Sequence, residues 1–217
     1  MLLKPARQTL VGVLLAATLP SACVDALDIE PAELDPQLDS GADARAPSLC
    51  EKYCSTVLSA CTGEYAVYAS SAICLKNCEA LPAGNPGDVF GNTIHCRLHN
   101  AEKEPSEPET HCPIAGPGGS TRTGSGECGE DCESYCVLLM RHCARQFDER
   151  FDNLGHCRES CRSEIPNAGD FNIAIREGDS VQCRLYHTTV AAVDPDLHCG
   201  HATGTEPPCV ADIPPPP

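Results

Sequence analysis

The apolar positions along this chain follow the spacing of helices, and cysteine supplies many of them. In LCEKYCSTVLSAC, which begins at Leu49, the cysteines lie at positions i, i+4 and i+11. The same spacing returns in DCESYCVLLMRHC, which begins at Asp131. Because an α-helix turns once in about 3.6 residues, each set of three cysteines lies on one helix face. The pattern therefore predicts an amphipathic helix at each place.

The polar residues beside these segments predict where helices begin. Ser48 followed by Glu51 has the form of a capping box, and Asp131 can serve as an N-cap in the second segment. Thr93 and Ser180 each lie in a polar pair after glycine, which predicts the start of a third helix in each half. We therefore expect an all-α fold built from short helices.

The cysteines form two matching sets. The first set is Cys50, Cys54, Cys61, Cys74, Cys78, Cys96, Cys112 and Cys128, and the second is Cys132, Cys136, Cys143, Cys157, Cys161, Cys183, Cys199 and Cys209. Tyr53 and Tyr135 also recur at equivalent positions. The pattern predicts a tandem duplication, with one disulfide-rich module over residues 49–128 and a second over residues 129–209.

Helices that carry cysteines one turn apart can be joined antiparallel by two disulfides. We expect this in both halves, through Cys50–Cys78, Cys54–Cys74, Cys132–Cys161 and Cys136–Cys157. Eight cysteines allow roughly 100 connectivities, so spacing alone leaves the remaining pairs open. The pairing that we favour for them is Cys61–Cys96, Cys143–Cys183, Cys112–Cys128 and Cys199–Cys209, with the last two closing C-terminal loops. Gly116–Glu127 is expected to be a flexible surface loop.

Composition supports a disulfide scaffold. The 217-residue chain has 17 cysteines, no tryptophan and only 4% aromatic residues, so a large apolar core is not available. The formal net charge of −16 argues against nucleic acid and against electrostatic docking on anionic lipid, because both present phosphate.

The N-terminal segment has the features of a signal peptide. Lys4 and Arg7 precede an apolar run from Thr9 to Leu19, with no acidic residue among them. The run is shorter than the roughly 20 residues that a membrane span needs, but it suits a signal-peptide core. We therefore interpret residues 1–22 as a lipoprotein-type signal peptide that precedes Cys23.

The lipoprotein interpretation depends on LPSAC, which resembles the lipobox whose cysteine is acylated and becomes the new N-terminus. Pro20 departs from that pattern, in which leucine is preferred at this position. The alternative is ordinary cleavage after Ala26, which would give a secreted protein. Residues 23–48 are acidic and lack aromatics, which predicts a disordered tether, and residues 210–217 form a proline-rich tail.

The many cysteines and the histidines beside them suggest redox or metal chemistry. The chain has no C-x-x-C, which thioredoxin-type exchange uses, and no C-x-x-C-H for haem attachment. His111 and His198 recur before the seventh cysteine of each set, which makes them the candidate metal ligands. Cysteines that are already paired supply no thiolate to a metal, so a histidine with ordinary hydrogen bonds is the favoured interpretation. We expect no catalytic residue and no cofactor.

Recurring arginines and aromatics have simpler explanations than ligand binding. Arg97 and Arg184 each follow a cysteine of the third helix, and we expect them to pair with carboxylates of this acidic chain. A shared ligand contact is the alternative. Tyr65 and Phe147, like the recurring tyrosines, are expected to be core residues.

Several motifs together resemble a known family. CEKYC, GNTIHCRLH, HCPIAGPGG and CRLYH…DPDLHC resemble a cysteine-rich tandem repeat of bacterial secreted proteins and lipoproteins, over roughly residues 49–209. The chain departs from the repeat at CRLHN and at HCGHATGTEPP. The resemblance implies an extracytoplasmic helical module and no established activity. The C-x-x-x-C hairpins are also similar in spacing to small chaperones of the mitochondrial intermembrane space, but the signal peptide argues against that location.

The sequence thus predicts a non-enzymatic lipoprotein of the bacterial cell envelope, lipid-anchored through Cys23 and serving as a binding or structural module. Its expected partners are the membrane, through the anchor, and a protein or envelope polymer, but not nucleic acid. The alternatives are a periplasmic metal-binding protein that uses His111 and His198, and a small redox or chaperone-like helper.

Overall fold

The computed structural model describes residues 47–103, 107–121 and 126–211, which all lie in one unit. Within these ranges the chain has nine α-helices and one 3₁₀ turn but no strand, and the all-α prediction is confirmed. The helices are α1 (Leu49–Ala60), α2 (Ser71–Ala80), α3 (Ile94–Glu102), α4 (Pro108–Ala115), α5 (Asp131–His142), α6 (Ala144–Arg150), α7 (Leu154–Glu164), α8 (Val181–Ala191) and α9 (Pro195–Thr203), and the 3₁₀ turn is Gly63–Tyr65.

Side-chain caps begin several of these helices where the sequence predicts them. The Ser48 hydroxyl accepts a hydrogen bond from the Glu51 amide at 3.3 Å, and the Glu51 carboxylate accepts one from the Ser48 amide at 2.6 Å. Thr93 and Ser180 cap α3 and α8 by accepting from the amide three residues further on. These caps satisfy amides that have no partner inside the helix, so the predicted starts are confirmed.

The predicted cap at Asp131 is wrong. Glu130 is the N-cap of α5, and Asp131 is the first helical residue. The Asp131 carboxylate is buried and accepts hydrogen bonds from Gln182 Nε2 at 2.8 Å and from Ser120 Oγ at 3.3 Å. Side chains of α8 and of the preceding loop therefore donate to the carboxylate oxygens that an N-cap would use for backbone amides of its own helix.

Each half contains the predicted disulfide-linked helix hairpin. Cys50–Cys78 and Cys54–Cys74 join α1 to α2, and Cys132–Cys161 and Cys136–Cys157 join α5 to α7. The four Cα–Cα distances lie between 5.6 and 5.9 Å. Cysteines one turn apart on facing helices meet at the spacing a disulfide needs, which is why the local pattern was sufficient.

The other favoured pairs are wrong. The structure pairs Cys61 with Cys112 and Cys96 with Cys128, and in the second half it pairs Cys143 with Cys199 and Cys183 with Cys209. The segments after α3 and α8 form two helices that the sequence did not predict, α4 and α9, each with proline at its N-terminus. These two helices contact α1 and α5, so they carry Cys112 and Cys199 to the C-terminal ends of those helices.

The order of pairing is the same in both halves, and each described bond closes within its own half. A duplicated module predicts this correspondence. The two halves nevertheless share one core, which includes the buried rings of Tyr53, Tyr135 and Phe147. Between the halves, Asn77 Nδ2 donates to the Thr189 carbonyl at 3.0 Å. The boundary between the predicted modules stays a prediction.

The loop after α4 differs from the sequence interpretation. Gly116–Ser120, the first part of the predicted flexible loop, is buried. The predicted signal peptide, Cys23 and nearly all of the acidic tether lie outside the described residues, as does the tail from residue 212. Among the helices that the structure describes, none combines the length and apolar character of a membrane span.

Candidate functional site

The structure separates the two candidate metal ligands. His111 lies on α4, and its Nδ1 is buried without a hydrogen-bond partner. His198 lies on α9, where it contacts His187 and His201. In the described part of the chain, the only group of three or more metal-ligating side chains without a cysteine is formed by these three histidines. The structure therefore does not bring His111 and His198 together, and the group of histidines that could hold a metal ion is His187, His198 and His201.

Two packed helices bring these histidines together. His198 and His201 are three residues apart on α9, so they lie on the same helix face. His187 lies on α8, which packs against α9. The ring centroid of His187 is 5.1 Å from that of His198 and 4.8 Å from that of His201. One ring nitrogen from each histidine lies within 4.8 Å of the other two.

Hydrogen bonding fixes the orientation of the most buried member. His187 Nε2 lies 3.0 Å from the Arg176 carbonyl oxygen, which can only accept, so Nε2 carries the proton. The lone pair of the neutral His187 ring is then on Nδ1, which accepts a hydrogen bond at 2.9 Å from the Nδ1–H of His198. The backbone carbonyl thus directs the Nδ1 lone pair of His187 toward His198.

These rings are disposed to remain uncharged. Burial is the main cause that lowers the pKa of His187 to about 4, and the hydrogen bond to the Arg176 carbonyl opposes it. The pKa of His198 is also lowered, mainly by burial and to a smaller extent by the nearby His201. Both rings are therefore neutral at neutral pH, which is the form that binds a metal.

A disulfide lies beside His187. Cys183 and Cys209 have sulfur atoms within 4.8 Å of a nitrogen of that ring. Because the two cysteines are bonded to each other, they offer no thiolate. Only the histidines of this region can act as strong metal ligands while the disulfide is intact.

Arg97 occupies a second site, and the predicted carboxylate pairing is wrong for it. The residue is 0% exposed, and its guanidinium donates to the carbonyls of Gly116 at 3.0 Å and Pro117 at 3.2 Å. It also donates to Ser134 Oγ of α5 at 2.9 Å. Burial lowers the pKa of Arg97. The arginine therefore holds the buried loop of the first half against the second half.

Arg184, the equivalent residue of the second half, has the predicted carboxylate partner. Its Nη2 lies 2.6 Å from Asp179 Oδ1, and Nη1 donates to the Thr203 carbonyl at 3.4 Å. The two recurring arginines therefore stabilise the same region of each half through different acceptors. Neither arrangement requires a ligand.

A groove of about 320 Å³ lies where the halves meet. Tyr65 and Pro113 line it from the first half, and Phe171 lines it from the second. The exposed carboxylates of Glu64 and Glu109 also line it. The groove therefore combines an apolar floor with negative charge.

Sequence reasoning missed His187 and His201. The sequence does show that His198 and His201 are three residues apart, a spacing that places two side chains on the same face of a helix. That signal requires a helix over these residues, whereas the sequence predicts a loop closed by Cys199 and Cys209. His187 follows Tyr186 in CRLYH and could be connected to the pair only by the packing of α8 on α9.

The fold and its cross-links define a class of protein: an all-α domain stapled by disulfides, of the kind found in oxidising extracytoplasmic compartments. The model of the BfoA family C-terminal domain matches residues 22–131, slightly more than half of the 217-residue chain, and the chain belongs to this family. The matched range contains the first set of eight cysteines and ends at the start of α5. Searches of curated proteins and of solved structures each found no match.

Proposed function

We propose that the chain is a non-enzymatic binding module of the bacterial cell envelope, anchored by acylated Cys23, whose partner is a protein that presents a basic segment. The observation that carries the proposal is the groove between the halves, held open by a disulfide-stapled scaffold. A preformed site loses little conformational entropy on binding, which suits recognition.

The eight disulfides support an extracytoplasmic location. They would be reduced in a cytosol kept reducing by glutathione and thioredoxin. A signal peptide followed by Cys23 supplies the route and the anchor in this proposal. The acidic residues 24–48 would then serve as a tether between the membrane and α1.

Charge supports the choice of partner. The chain carries a net charge of −16, and Glu64 and Glu109 stand at the groove. Anionic polymers are disfavoured by this charge, whereas a cationic segment is attracted. The partly exposed ring of Tyr65 offers apolar contact to the aliphatic stems of lysine and arginine side chains, whereas the Phe171 ring is 1% exposed.

Titration with a labelled oligolysine peptide tests the groove. We expect Glu64→Lys with Glu109→Lys to weaken binding far more than Glu149→Lys with Glu159→Lys, which makes the same change of charge at exposed positions elsewhere. An oligoglutamate peptide of equal length is the ligand control. Equal loss in the two double variants would show that only net charge matters and would refute the groove.

The anchor is tested separately in cells. Wild-type protein should fractionate with membranes and should give an acylated N-terminal peptide that begins at Cys23. Cys23→Ser should release the protein from the membrane fraction. A mature N-terminus at Leu27 would refute acylation without affecting the groove.

The alternative of a redox or chaperone-like helper is distinguished by its thiols. All cysteines in the described residues are in disulfides, whereas Cys23 lies outside them. A helper that exchanges disulfides needs a reducible pair, which would be detected as free thiol during turnover. We therefore expect native protein to react with a thiol reagent at none of these sixteen positions, and reaction at a defined pair would favour the helper.

A further inference from the structure

We propose that His187, His198 and His201 form a binding site for one divalent transition metal ion, with Cu²⁺ bound more tightly than Zn²⁺. This inference does not depend on the proposed groove or on the lipid anchor. It concerns the face between α8 and α9, which neither of them uses.

The arrangement already has the parts of a three-histidine metal site. Nδ1 of His187 and Nδ1 of His198 lie 2.9 Å apart. Two nitrogens bound to one tetrahedral Zn²⁺ at about 2.0–2.1 Å are about 3.3 Å apart, so small rotations of the rings would admit the ion once His198 carries its proton on Nε2 instead of on Nδ1. A nitrogen of His201 lies within 4.8 Å of both, on the same helix face as His198.

An outer hydrogen bond supports the site as it does in known metal centres. A metal-binding histidine almost always donates its other ring N–H to a carbonyl or a carboxylate. His187 does so through Nε2, which donates to the Arg176 carbonyl at 3.0 Å. This bond holds the lone pair of Nδ1 toward the position that the ion would occupy.

His201 supplies an independent indication. Its Nδ1 is buried and has no hydrogen-bond partner. A buried polar atom without a partner carries a free-energy cost, and an ion is one of the explanations that such an atom invites. His198 and His201 are only half-buried, so an ion can reach the site from solvent, whereas His187 is buried.

The ligand set determines the chemical class of the ion. Neutral imidazoles suit Cu²⁺, Zn²⁺ and Ni²⁺, whereas Mg²⁺ and Ca²⁺ prefer oxygen. Among first-row divalent ions the affinity of a nitrogen site is highest for Cu²⁺. Three histidines leave at least one coordination position for water or for a ligand from a partner.

Titration of the full chain with Cu²⁺ and Zn²⁺ tests the site, with the disulfides intact and metal first removed by a chelator. We expect one ion per chain, with Cu²⁺ displacing Zn²⁺. His198→Ala and His201→Ala should each raise the Kd by about 10- to 100-fold or more. His156→Ala, which removes an exposed histidine of α7, should leave the Kd unchanged within about two-fold.

Two further measurements make the result decisive. Electron paramagnetic resonance of the Cu²⁺ complex should show coupling to three nitrogens in the wild type and fewer in His201→Ala. Because His198 and His201 are half-buried, circular dichroism should show that both variants stay folded, whereas His187→Ala removes a buried ring. Failure of the wild type to retain metal would overturn the proposal, as would equal affinity in the two α9 variants and the control.

Discussion

Replacement of Arg97 by methionine is the most informative test of how the halves are joined. Methionine keeps the unbranched stem of arginine as far as the position of Nε, but it lacks the guanidinium and cannot donate to the Gly116 and Pro117 carbonyls or to Ser134 Oγ. The carbonyls lie in a buried segment, so water does not readily replace the guanidinium. The substitution therefore leaves polar groups without partners rather than merely removing a charge.

The expected cost follows from those contacts. Each buried carbonyl left without a donor costs about 1–3 kcal/mol, and the variant recovers part of the free energy spent on burying the guanidinium. We expect Arg97→Met to lower the free energy of unfolding by about 3 kcal/mol. Arg184→Met, which removes a less buried arginine with one carboxylate partner, should cost about 1 kcal/mol.

Denaturant unfolding under oxidising conditions, followed by circular dichroism, measures both variants. A cycle with Ser134→Ala should give a coupling free energy of about 1 kcal/mol between Arg97 and Ser134. A cost of Arg97→Met below about 0.5 kcal/mol would refute the reasoning, because that is the effect of an ordinary surface substitution. Equal costs for the two arginines would show that their different acceptors do not matter.

Three further predictions follow from the described contacts. Non-reducing proteolysis with mass spectrometry should find Cys61 linked to Cys112, whereas a Cys61–Cys96 peptide would contradict the fold. Because the partners are 51 residues apart, removal of this bond should lower the free energy of unfolding by about 4 kcal/mol. Burial raises the pKa of Asp131 to about 6 against 3.8 for the ordinary carboxyl, so the folded state binds the proton more tightly and stability falls as pH rises through this window. Between pH 5 and pH 8 the stability of wild type relative to Asp131→Asn should therefore fall by about 1 kcal/mol, and no change in thermal unfolding across that range would disprove the burial argument. Gly119 has φ +80°, and a Cβ there would meet the Cys128 carbonyl, so Gly119→Ala should lower the free energy of unfolding in denaturant by about 2 kcal/mol. The control Gly87→Ala, also at positive φ but with open space around it, should lower it less.

The sequence predicted those features that depend on neighbours within one or two helical turns. Cysteines four residues apart lie on one helix face, so the two hairpins and their four disulfides followed from spacing. The caps at Ser48, Thr93 and Ser180 followed for the same reason, because a capping side chain reaches only the first turn.

Asp131 marks the limit of local reasoning. Its identity and position suit a cap, but Gln182 on α8 and Ser120 in the preceding loop bind its carboxylate instead. Arg97 is similar: an acidic sequence predicts a carboxylate partner, whereas the buried loop after α4 offers it carbonyl oxygens. In both cases groups distant in sequence compete successfully with the local partner.

The sequence alone therefore determined the helical class, the disulfide-rich character and the two hairpins, because each depends on periodicity along a single helix. The tertiary structure alone decided the Cys61–Cys112 and Cys143–Cys199 bonds and the meeting of His187 with His198 and His201. These contacts depend on how α4 and α9 pack on helices elsewhere in the chain. Packing of this kind is set by the shape of the whole core, which no spacing within one segment records.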